Sequence, residues 1–313
     1  MKWLLWPLSW FYRALTGVRR FAFQSGIRAV SNMSVPVIVV GNISVGGTGK
    51  TPCVIWLAAE LQNRGYTVGV VSRGYGGLSK DWPQWVTPDS DPKLVGDESV
   101  LVAMRARCPV MVGPDRVAAA KGLLAEAPVD VLISDDGLQH YRLGRDFEIA
   151  IVDGVRGLGN GFCLPAGPLR EPASRLNEVG AVIVNGGDWD YSGVFRAEVV
   201  PQRAYQVRGT KEVSLEEFRK RVVHAVAGVG HPQRFFKLLE EAELRVLPHP
   251  LPDHVKLEPT HLSFDDSAPV MITEKDGVKC RYFAHSGVWC VPLEFRLVKE
   301  DVERFMYCLL QKL

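Results

Sequence analysis

The sequence predicts an α/β fold built on a parallel sheet of the P-loop NTPase type, with helices on both faces. Three observations predict it: a phosphate-loop pattern between a strand and a helix, apolar strands alternating with helices as far as residue 184, and the same alternation on a smaller scale after residue 222. Such alternation is typical of parallel sheets covered on both sides.

We therefore expect two units. Residues 1–192 comprise an N-terminal helix and the phosphate-loop unit, and residues 193–313 comprise a strand linker, a smaller α/β unit and a C-terminal helix. Residues 78–96 are expected to form an irregular loop. The predicted strands are residues 35–40, 67–72, 109–112, 129–134, 148–152 and 181–184, followed by 222–227, 244–247 and 270–272.

The turn after the first strand has the pattern of a phosphate loop. Backbone N–H groups of such a turn bind phosphate, its lysine reaches the β- and γ-phosphates, and the next hydroxyl binds Mg²⁺. The strict pattern has glycine where this chain has Ser44, but the flanking strand and helix and the intact Gly49-Lys50-Thr51 favour a nucleoside-triphosphate site over a chance turn. The predicted nucleotide-binding residues of the turn are Ser44, Val45, Gly46, Gly47, Thr48, Gly49, Lys50 and Thr51.

Asp135 and Asp136 end another predicted strand. On the sheet that carries a phosphate loop, such a pair is the usual source of a magnesium carboxylate, and helix capping is the alternative explanation. Because ligands bind at the carboxyl ends of parallel strands, we expect these acids, Lys50 and Arg73 to lie at one edge of the sheet. Arg170-Glu171 offers a cation for phosphate charge and another oxygen ligand for Mg²⁺.

A kinase also needs a carboxylate that orients or deprotonates the attacking hydroxyl. Asp97, at a predicted helix start, and His254, as its orienting partner, are eligible, although capping and a structural role are the commoner explanations for such residues. His249 and His254 lack a third ligand at suitable spacing for a metal site. Residues 185–188 resemble a guanine-reading turn without its lysine, so we interpret them as a turn, with GTP a minor option. The glycines of residues 228–230 are a weak dinucleotide signal that tight turning explains equally well.

The first 30 residues form a cationic, aromatic segment that carries three of the eight tryptophans, and no acid precedes Glu60. Such a helix can lie in the headgroup layer of a membrane, but this one is too short and too interrupted to span a bilayer. The alternative is a helix packed on the protein's own core. A cleaved signal peptide conflicts with a triphosphate site directly behind it, which needs cytosolic nucleotide. The apolar residues at helical spacing are Leu4, Leu8, Phe11, Leu15 and Val18.

The amino-acid composition argues against some classes of function. A net charge of +2 over 313 residues argues against a nucleic-acid partner. The six cysteines are scattered without a C-x-x-C pair, which disfavours structural zinc and fits a reducing cytosol. The sequence also shows no sign of an obligate protein partner.

Together, the motifs resemble the tetraacyldisaccharide 4′-kinase family. The resemblance spans about residues 1–280 and implies a membrane-associated enzyme of lipid A biosynthesis. That enzyme uses ATP and Mg²⁺ to phosphorylate the 4′-hydroxyl of an acylated glucosamine disaccharide 1-phosphate at the cytoplasmic face of the inner membrane, as a peripheral or monotopic protein. After the basic aromatic helix, the motifs in order are G-N-I-S-V-G-G-T-G-K-T-P, S-R-G-Y, G-D-E, D-R, D-D-G-L-Q-H, L-P-A-G-P-L-R-E-P, A-G-V-G-H-P-Q-R-F, P-D-H and T-E-K-D.

The resemblance also implies a role for each matching residue. It makes Asp97 the base, oriented by His254, with Lys50 as the third catalytic residue. It places Arg170 and Lys275 at the nucleotide. The implied metal ligands are Thr51, Asp135, Asp136 and Glu171, and the implied contacts to the polar head of the glycolipid are Arg73, Tyr75 and Arg116.

The residues alone leave two other functions open. One is a P-loop NTPase switch or metallochaperone, which would need no lipid-seeking N-terminus and would show a clearer cysteine or histidine cluster. The other is a soluble small-molecule kinase whose N-terminal helix is merely packed.

Overall fold

A computed structural model describes residues 5–253 and 255–313, and these form two sheets with helices. The first sheet contains β1 Val37–Gly41, β2 Val68–Ser72, β3 Gln84–Val86, β4 Val110–Val112, β5 Val131–Asp135, β6 Phe147–Asp153, β7 Ala181–Asn185, β8 Phe195–Pro201 and β15 Leu293–Leu297. The second contains β9 Ala204–Gln206, β10 Glu212–Val213, β11 Val222–Ala227, β12 Arg245–Pro250, β13 Val270–Thr273 and β14 Val288–Val291. The helices are α1 Trp6–Gln24, α2 Lys50–Asn63, α3 Pro92–Val95, α4 Asp97–Ala106, α5 Arg116–Glu126, α6 Pro232–Glu241, α7 Glu274–Cys280 and α8 Lys299–Leu310.

The first sheet has the strand order β15-β8-β7-β6-β1-β5-β2-β4-β3. Its central strands are parallel and buried, as their continuous β-branched runs predict, and the edge strands β3 and β15 are antiparallel. The α/β fold and each predicted strand are confirmed, with small shifts at the strand ends. The expectation of an irregular loop over residues 78–96 is wrong: β3 pairs with β4 there, and the Asp91 side chain caps α3 by accepting the Lys93 N–H.

Helices cover both faces of this sheet. On one face, α2, α4 and α8 bury apolar side chains in one continuous core, and on the other, α5 packs over a second core. Helix α8 belongs to the first core because Phe305 and Leu309 are fully buried there. The C-terminal helix therefore packs on the phosphate-loop sheet, beside strand β15.

The second sheet has the order β10-β9-β14-β13-β11-β12, with α6 packed in its core. The chain passes between the sheets twice, after β8 and after β14, and the Gln202 N–H donates to the Pro292 carbonyl where the two passages lie side by side. The division at residues 192 and 193 stays a prediction. The structure adds that residues 293–310 of the expected second unit return to the first sheet, because β15 completes its edge and α8 fills its core.

Helix α1 packs on the protein along one side only. The Ser9 hydroxyl donates to the Cys163 carbonyl at 2.7 Å, and Tyr12 contacts the second core. The described residues of the predicted apolar face are exposed, with Phe11 at 69% and Val18 at 67%, while Leu4 lies outside the described residues. Within residues 5–253 and 255–313, none of the helices is long and apolar enough to cross a membrane.

We expect Phe305→Ala to lower the free energy of unfolding by about 3–5 kcal/mol, because it empties a fully buried site between aromatic rings. The Phe305 ring lies 5.3 Å from that of Phe195 and 5.6 Å from that of Trp56. Urea unfolding measures the loss. The matched control is Tyr307→Ala on the same helix, whose side chain is 67% exposed and whose loss we expect within about 0.5 kcal/mol. Equal, small losses in the two variants would contradict the placement of α8 in the core.

Candidate active site

The phosphate loop joins β1 to α2. Gly49 lies just before α2 with φ of 94°, a conformation that glycine adopts without strain. A Cβ at Gly49 would also collide with the Asn185 side-chain amide. The loop leads directly into α2, and the first backbone N–H groups of a helix are a favourable place for an anion to bind.

Neighbouring segments hold the loop from behind. The Asn185 side chain, at the end of β7, donates to the Thr48 carbonyl at 2.9 Å, and Asn42 donates to the Thr48 hydroxyl at 3.1 Å. The Val45 N–H donates to the Pro168 carbonyl at 2.8 Å, and Arg156 donates to the Gly47 carbonyl at 3.2 Å. These contacts fix the loop before any ligand binds, so little ordering cost remains for nucleotide binding.

Lys50 and Asp136 face each other at the mouth of the loop. The Lys50 Nζ lies 3.5 Å from Asp136 Oδ1, and an Arg170 guanidinium nitrogen lies 3.4 Å from Asp136 Oδ2. Burial raises the pKa of Asp136, but the positive charges of Lys50 and Arg170 lower it by more. The pKa of Asp136 therefore lies below its usual value. The predicted meeting of Lys50 with the acid pair at one sheet edge is thus present in the structure, and Arg170 lies at the same acid.

Asp135 is a buried acid at the end of β5. Burial raises its pKa to about 7, and the carboxylates of Glu98 and Asp136 add to the effect. Among the described residues, its Oδ1 atom has no hydrogen-bond partner. Asp135 ends β5 and Asp136 occupies the following turn with φ of 48°, so neither acid caps a helix.

The acid pair and the hydroxyl of Thr51 suit Mg²⁺, which prefers oxygen ligands and takes the rest of its shell from phosphates and water. A bound divalent cation would also offset the cost of ionising Asp135. Across the described part of the chain, no three His, Cys, Asp or Glu side chains group as a metal cage.

Glu171, also predicted as a metal ligand, is the centre of a buried hydrogen-bond network. Its Oε1 accepts from Gln139, and its Oε2 accepts from Tyr141 and, at 3.2 Å, from Arg175. The Arg175 guanidinium also pairs with Glu148. A carboxylate has about four acceptor positions, so these donors leave Glu171 capacity for one more ligand, and its metal role stays a prediction.

The three residues predicted at the glycolipid head differ in burial. Arg116 is buried, and burial lowers its pKa to about 10 despite the nearby carboxylates of Asp135 and Asp136. Its guanidinium donates to the Gly113 carbonyl at 2.9 Å, while its Nε has no partner among the described residues. Arg73 and Tyr75 are exposed on the loop after β2. Arg116 therefore lies beside the acid pair, whereas Arg73 and Tyr75 lie nearer to solvent.

Asp97 is buried at the start of α4, where Gly96 occupies the capping position. Its Oδ1 accepts the Glu98 N–H at 2.9 Å, and its Oδ2 lies 3.4 Å from the Lys279 Nζ. Asp97 is therefore not the N-cap residue, although its Oδ1 accepts a first-turn N–H of the helix. Helix α7, whose lysine it meets, follows β13 of the second sheet.

Lys275 lies between two acids. Its Nζ is 3.0 Å from Glu98 Oε1 and 3.2 Å from Asp253 Oδ1. Burial lowers its pKa, but the carboxylates of Glu98, Asp97 and Asp253 together raise it above the ordinary value. The structure therefore places Lys275 in a cluster of charges between the two sheets, and its nucleotide contact stays a prediction.

The predicted partner of Asp97, His254, lies outside the described residues. Sequence reasoning missed three residues of this region: Asn185 and Arg156 behind the loop, and Lys279 at Asp97. The turn at residues 185–188 was recognised, but its hydrogen bond to Thr48 depends on tertiary contact. In the glycine turn at residues 228–230, the weak dinucleotide signal of the sequence, the Gly228 N–H donates to the Asp276 carboxylate at 3.0 Å.

Known proteins resemble this chain along almost its whole length. A family model described as tetraacyldisaccharide-1-P 4′-kinase, LpxK, matches residues 1–312. The tetraacyldisaccharide 4′-kinase of Nitrosococcus oceani is 50% identical over 296 residues, covering 95% of this chain and 87% of that protein. That of Pasteurella multocida is 48% identical over 309 residues, covering 98% and 94%. The crystal structure of the "apo" form of LpxK from Aquifex aeolicus in complex with ATP superposes with a TM-score of 0.84 at 26% identity, covering 99% of this chain and 98% of that one.

A parallel sheet, a phosphate loop and a buried acid pair at the same edge define an enzyme of the P-loop class that uses a nucleoside triphosphate. The family match and the identity to the relatives make the assignment specific. The chain belongs to the tetraacyldisaccharide-1-P 4′-kinase family, and it is a kinase. The family resemblance and the kinase activity inferred from the sequence are confirmed, and the switch and metallochaperone interpretations are set aside.

We expect Asp135→Asn to stabilise the protein in the absence of ligands, and more so at pH 8 than at pH 6. The pKa of Asp135 is about 7 in the folded protein, above that of an unfolded aspartate, so its ionisation disfavours folding as pH rises from about 4 through 7. Asparagine removes this cost, and the gain in unfolding free energy is about 1 kcal/mol larger at pH 8. Urea unfolding without nucleotide or Mg²⁺ measures it. A gain that does not change with pH would show that Asp135 does not titrate in this range.

Proposed function

We propose that this chain transfers the γ-phosphoryl group of ATP to the 4′-hydroxyl of a tetraacyl glucosamine disaccharide 1-phosphate in lipid A biosynthesis. The observation that supports it most is the Lys50–Asp136 pair, 3.5 Å apart beneath a phosphate loop in a chain of this kinase family. The names of the relatives supply the acceptor, and the ATP in the solved LpxK structure supports the donor.

On the donor side, the loop of residues 44–49 receives the phosphates and Lys50 binds the β- and γ-phosphates. Thr51, Asp135, Asp136 and Glu171 would hold Mg²⁺, which neutralises phosphate charge when bound. Arg170 and Lys275 complete the nucleotide site, and the loop contacts of Arg156 and Asn185 support it. Positioning and charge neutralisation of this kind account for most of the rate in phosphoryl transfer.

On the acceptor side, Asp97 takes the proton of the sugar hydroxyl, and His254 orients Asp97. The sugar oxygen forms a bond to the γ-phosphorus while the bond to the bridging β,γ-oxygen breaks, and ADP leaves with that electron pair. Arg73, Tyr75 and Arg116 contact the polar head of the glycolipid. Arg116 lies beside the acid pair, where its charge stabilises the phosphoryl group in transfer.

The acceptor carries acyl chains that prefer to stay in lipid, so the enzyme must work at a membrane surface. Helix α1 supplies an apolar face that the rest of the protein leaves uncovered, with Phe11 and Val18 among its exposed residues. Basic residues near this face suit anionic lipid and an anionic substrate. We place the protein at the cytoplasmic face of the inner membrane, as a peripheral or monotopic enzyme.

We expect Asp97→Asn to lower kcat by about 100-fold or more while ATP binding persists, because asparagine cannot accept the hydroxyl proton. Glycolipid phosphorylation and ATP binding are measured on the same preparation. The matched control is Asp301→Asn, a carboxylate in α8 that accepts the N–H of Arg196 in β8 at 2.7 Å, and for this variant we expect kcat to be retained. Full activity of the Asp97 variant would remove this residue from the role of base.

We expect Phe11→Glu combined with Val18→Glu to lower binding to anionic vesicles by tenfold or more, because two buried apolar contacts with lipid are lost. Vesicle flotation measures binding, and a detergent-solubilised acceptor tests whether the active site is intact. The control carries Tyr282→Glu and Tyr307→Glu, whose side chains are 70% and 67% exposed elsewhere on the surface. Undiminished flotation of the α1 variant would refute the membrane role of this face.

A further inference from the structure

Helix α7 presents two lysines, one turn apart, to the first turn of α4. The Lys275 Nζ lies 3.0 Å from Glu98 Oε1, and the Lys279 Nζ lies 3.4 Å from Asp97 Oδ2. At the other end of the contact, Arg105 pairs with Glu274 at 2.6 Å. Charged side chains of α7 thus form ion pairs with oppositely charged side chains in the first and last turns of α4.

Lys279 is held firmly in this position. Its ammonium contacts Asp276 Oδ1 at 3.0 Å and donates to the Gly228 carbonyl at 3.4 Å, and only 11% of its side chain is exposed. Asp276 is itself fully buried and accepts from the Thr273 hydroxyl and the Gly228 N–H. The preceding residue, Val278, is buried in the core of the first sheet. The ammonium therefore has little freedom to leave Asp97.

The Asp97 carboxylate is fixed from two sides, because Oδ1 accepts the Glu98 N–H and Oδ2 meets Lys279. Among the described residues, the other charges in its surroundings are Glu98 beside it, Lys275 on α7 with its partner Asp253, and Asp276 next to Lys279. The proposed function makes Asp97 the base, yet the residues implied by family motifs provide only a histidine to orient it. The structure adds a buried cation at the second oxygen.

We propose that Lys279 is a positioning residue for phosphoryl transfer, which keeps the Asp97 carboxylate ionised and correctly oriented from across the boundary between the two sheets. This inference rests on the proposed role of Asp97 as base. Lys279 acts through Asp97 and does not contact the reacting atoms. An opposite charge at this distance favours the ionised carboxylate, which is the form that accepts a proton.

The test compares Lys279→Met, Lys279→Arg and the exposed control Lys237→Met, whose Nζ lies 3.6 Å from Glu241 on α6. We expect Lys279→Met to lower kcat by about tenfold to 100-fold, with the KM for ATP and for glycolipid within about twofold of wild type. The acidic limb of the pH–kcat profile moves upward by about one pH unit. Lys279→Arg restores most of the rate, and Lys237→Met behaves as wild type.

A double variant shows whether Lys279 acts through Asp97. If it does, Asp97→Asn with Lys279→Met is no slower than Asp97→Asn alone, since the positioned group is already absent. Losses that multiply would overturn the inference, as would a Lys279→Met enzyme with wild-type kcat and pH profile. Thermal unfolding and ATP binding report whether each variant folds, and Lys279→Gln replaces the methionine variant if the latter melts at a lower temperature.

These outcomes separate the inference from the proposed function. Loss of activity in Asp97→Asn together with an unaffected Lys279→Met enzyme rejects the positioning role and leaves the base intact. Wild-type activity in Asp97→Asn rejects the base, and the positioning role falls with it.

Discussion

Parallel pairing of β1 with β5 on one side and β6 on the other is the constraint on which the active site depends. In this register Val40 lies opposite Asp135, so the strand that feeds the phosphate loop and the strand that ends in two acids finish at the same edge. Gly41 lies opposite Ala150 of β6, which brings the following loop and its Arg156 to the back of the phosphate loop. The backbone hydrogen bonds between these strands therefore fix the position of the phosphate loop relative to the acid pair.

The two acids at this edge of the sheet differ in how their charges are balanced. Asp136 is balanced by Lys50 and Arg170, whereas Asp135 is buried with an elevated pKa and an unsatisfied oxygen. A buried acid of this kind is costly to ionise in the free protein, and a bound cation would offset that cost. The second sheet contributes through α7, whose two lysines form ion pairs with Glu98 and Asp97 in the first turn of α4.

Local patterns in the sequence were sufficient for the parallel sheet, the phosphate loop and the acid pair, because each depends on residues close together in the chain. The paths of α7 and α8 depend on tertiary contacts: α8 joins the first core, and Lys279 meets Asp97 from a distant segment. One signal was available, since Thr273 and Asp276 form a capping pattern that predicts α7 and places its two lysines on one face. The hydrogen bond from Asn185 to Thr48 has no such signal, because nothing near either residue specifies the other.

The central claim is that nucleotide bound beneath Lys50 gives its terminal phosphoryl group to a lipid-embedded sugar. The most direct measurement incubates the purified protein with Mg²⁺ and ATP labelled in the γ-phosphate, with and without the acylated disaccharide in detergent micelles, and follows labelled glycolipid and ADP together. The account predicts that label enters the 4′-phosphate ester, in an amount equal to the ADP formed, and that ADP formation depends on the acceptor. ADP released equally fast without glycolipid, with the sugar left unlabelled when it is supplied, would contradict the account.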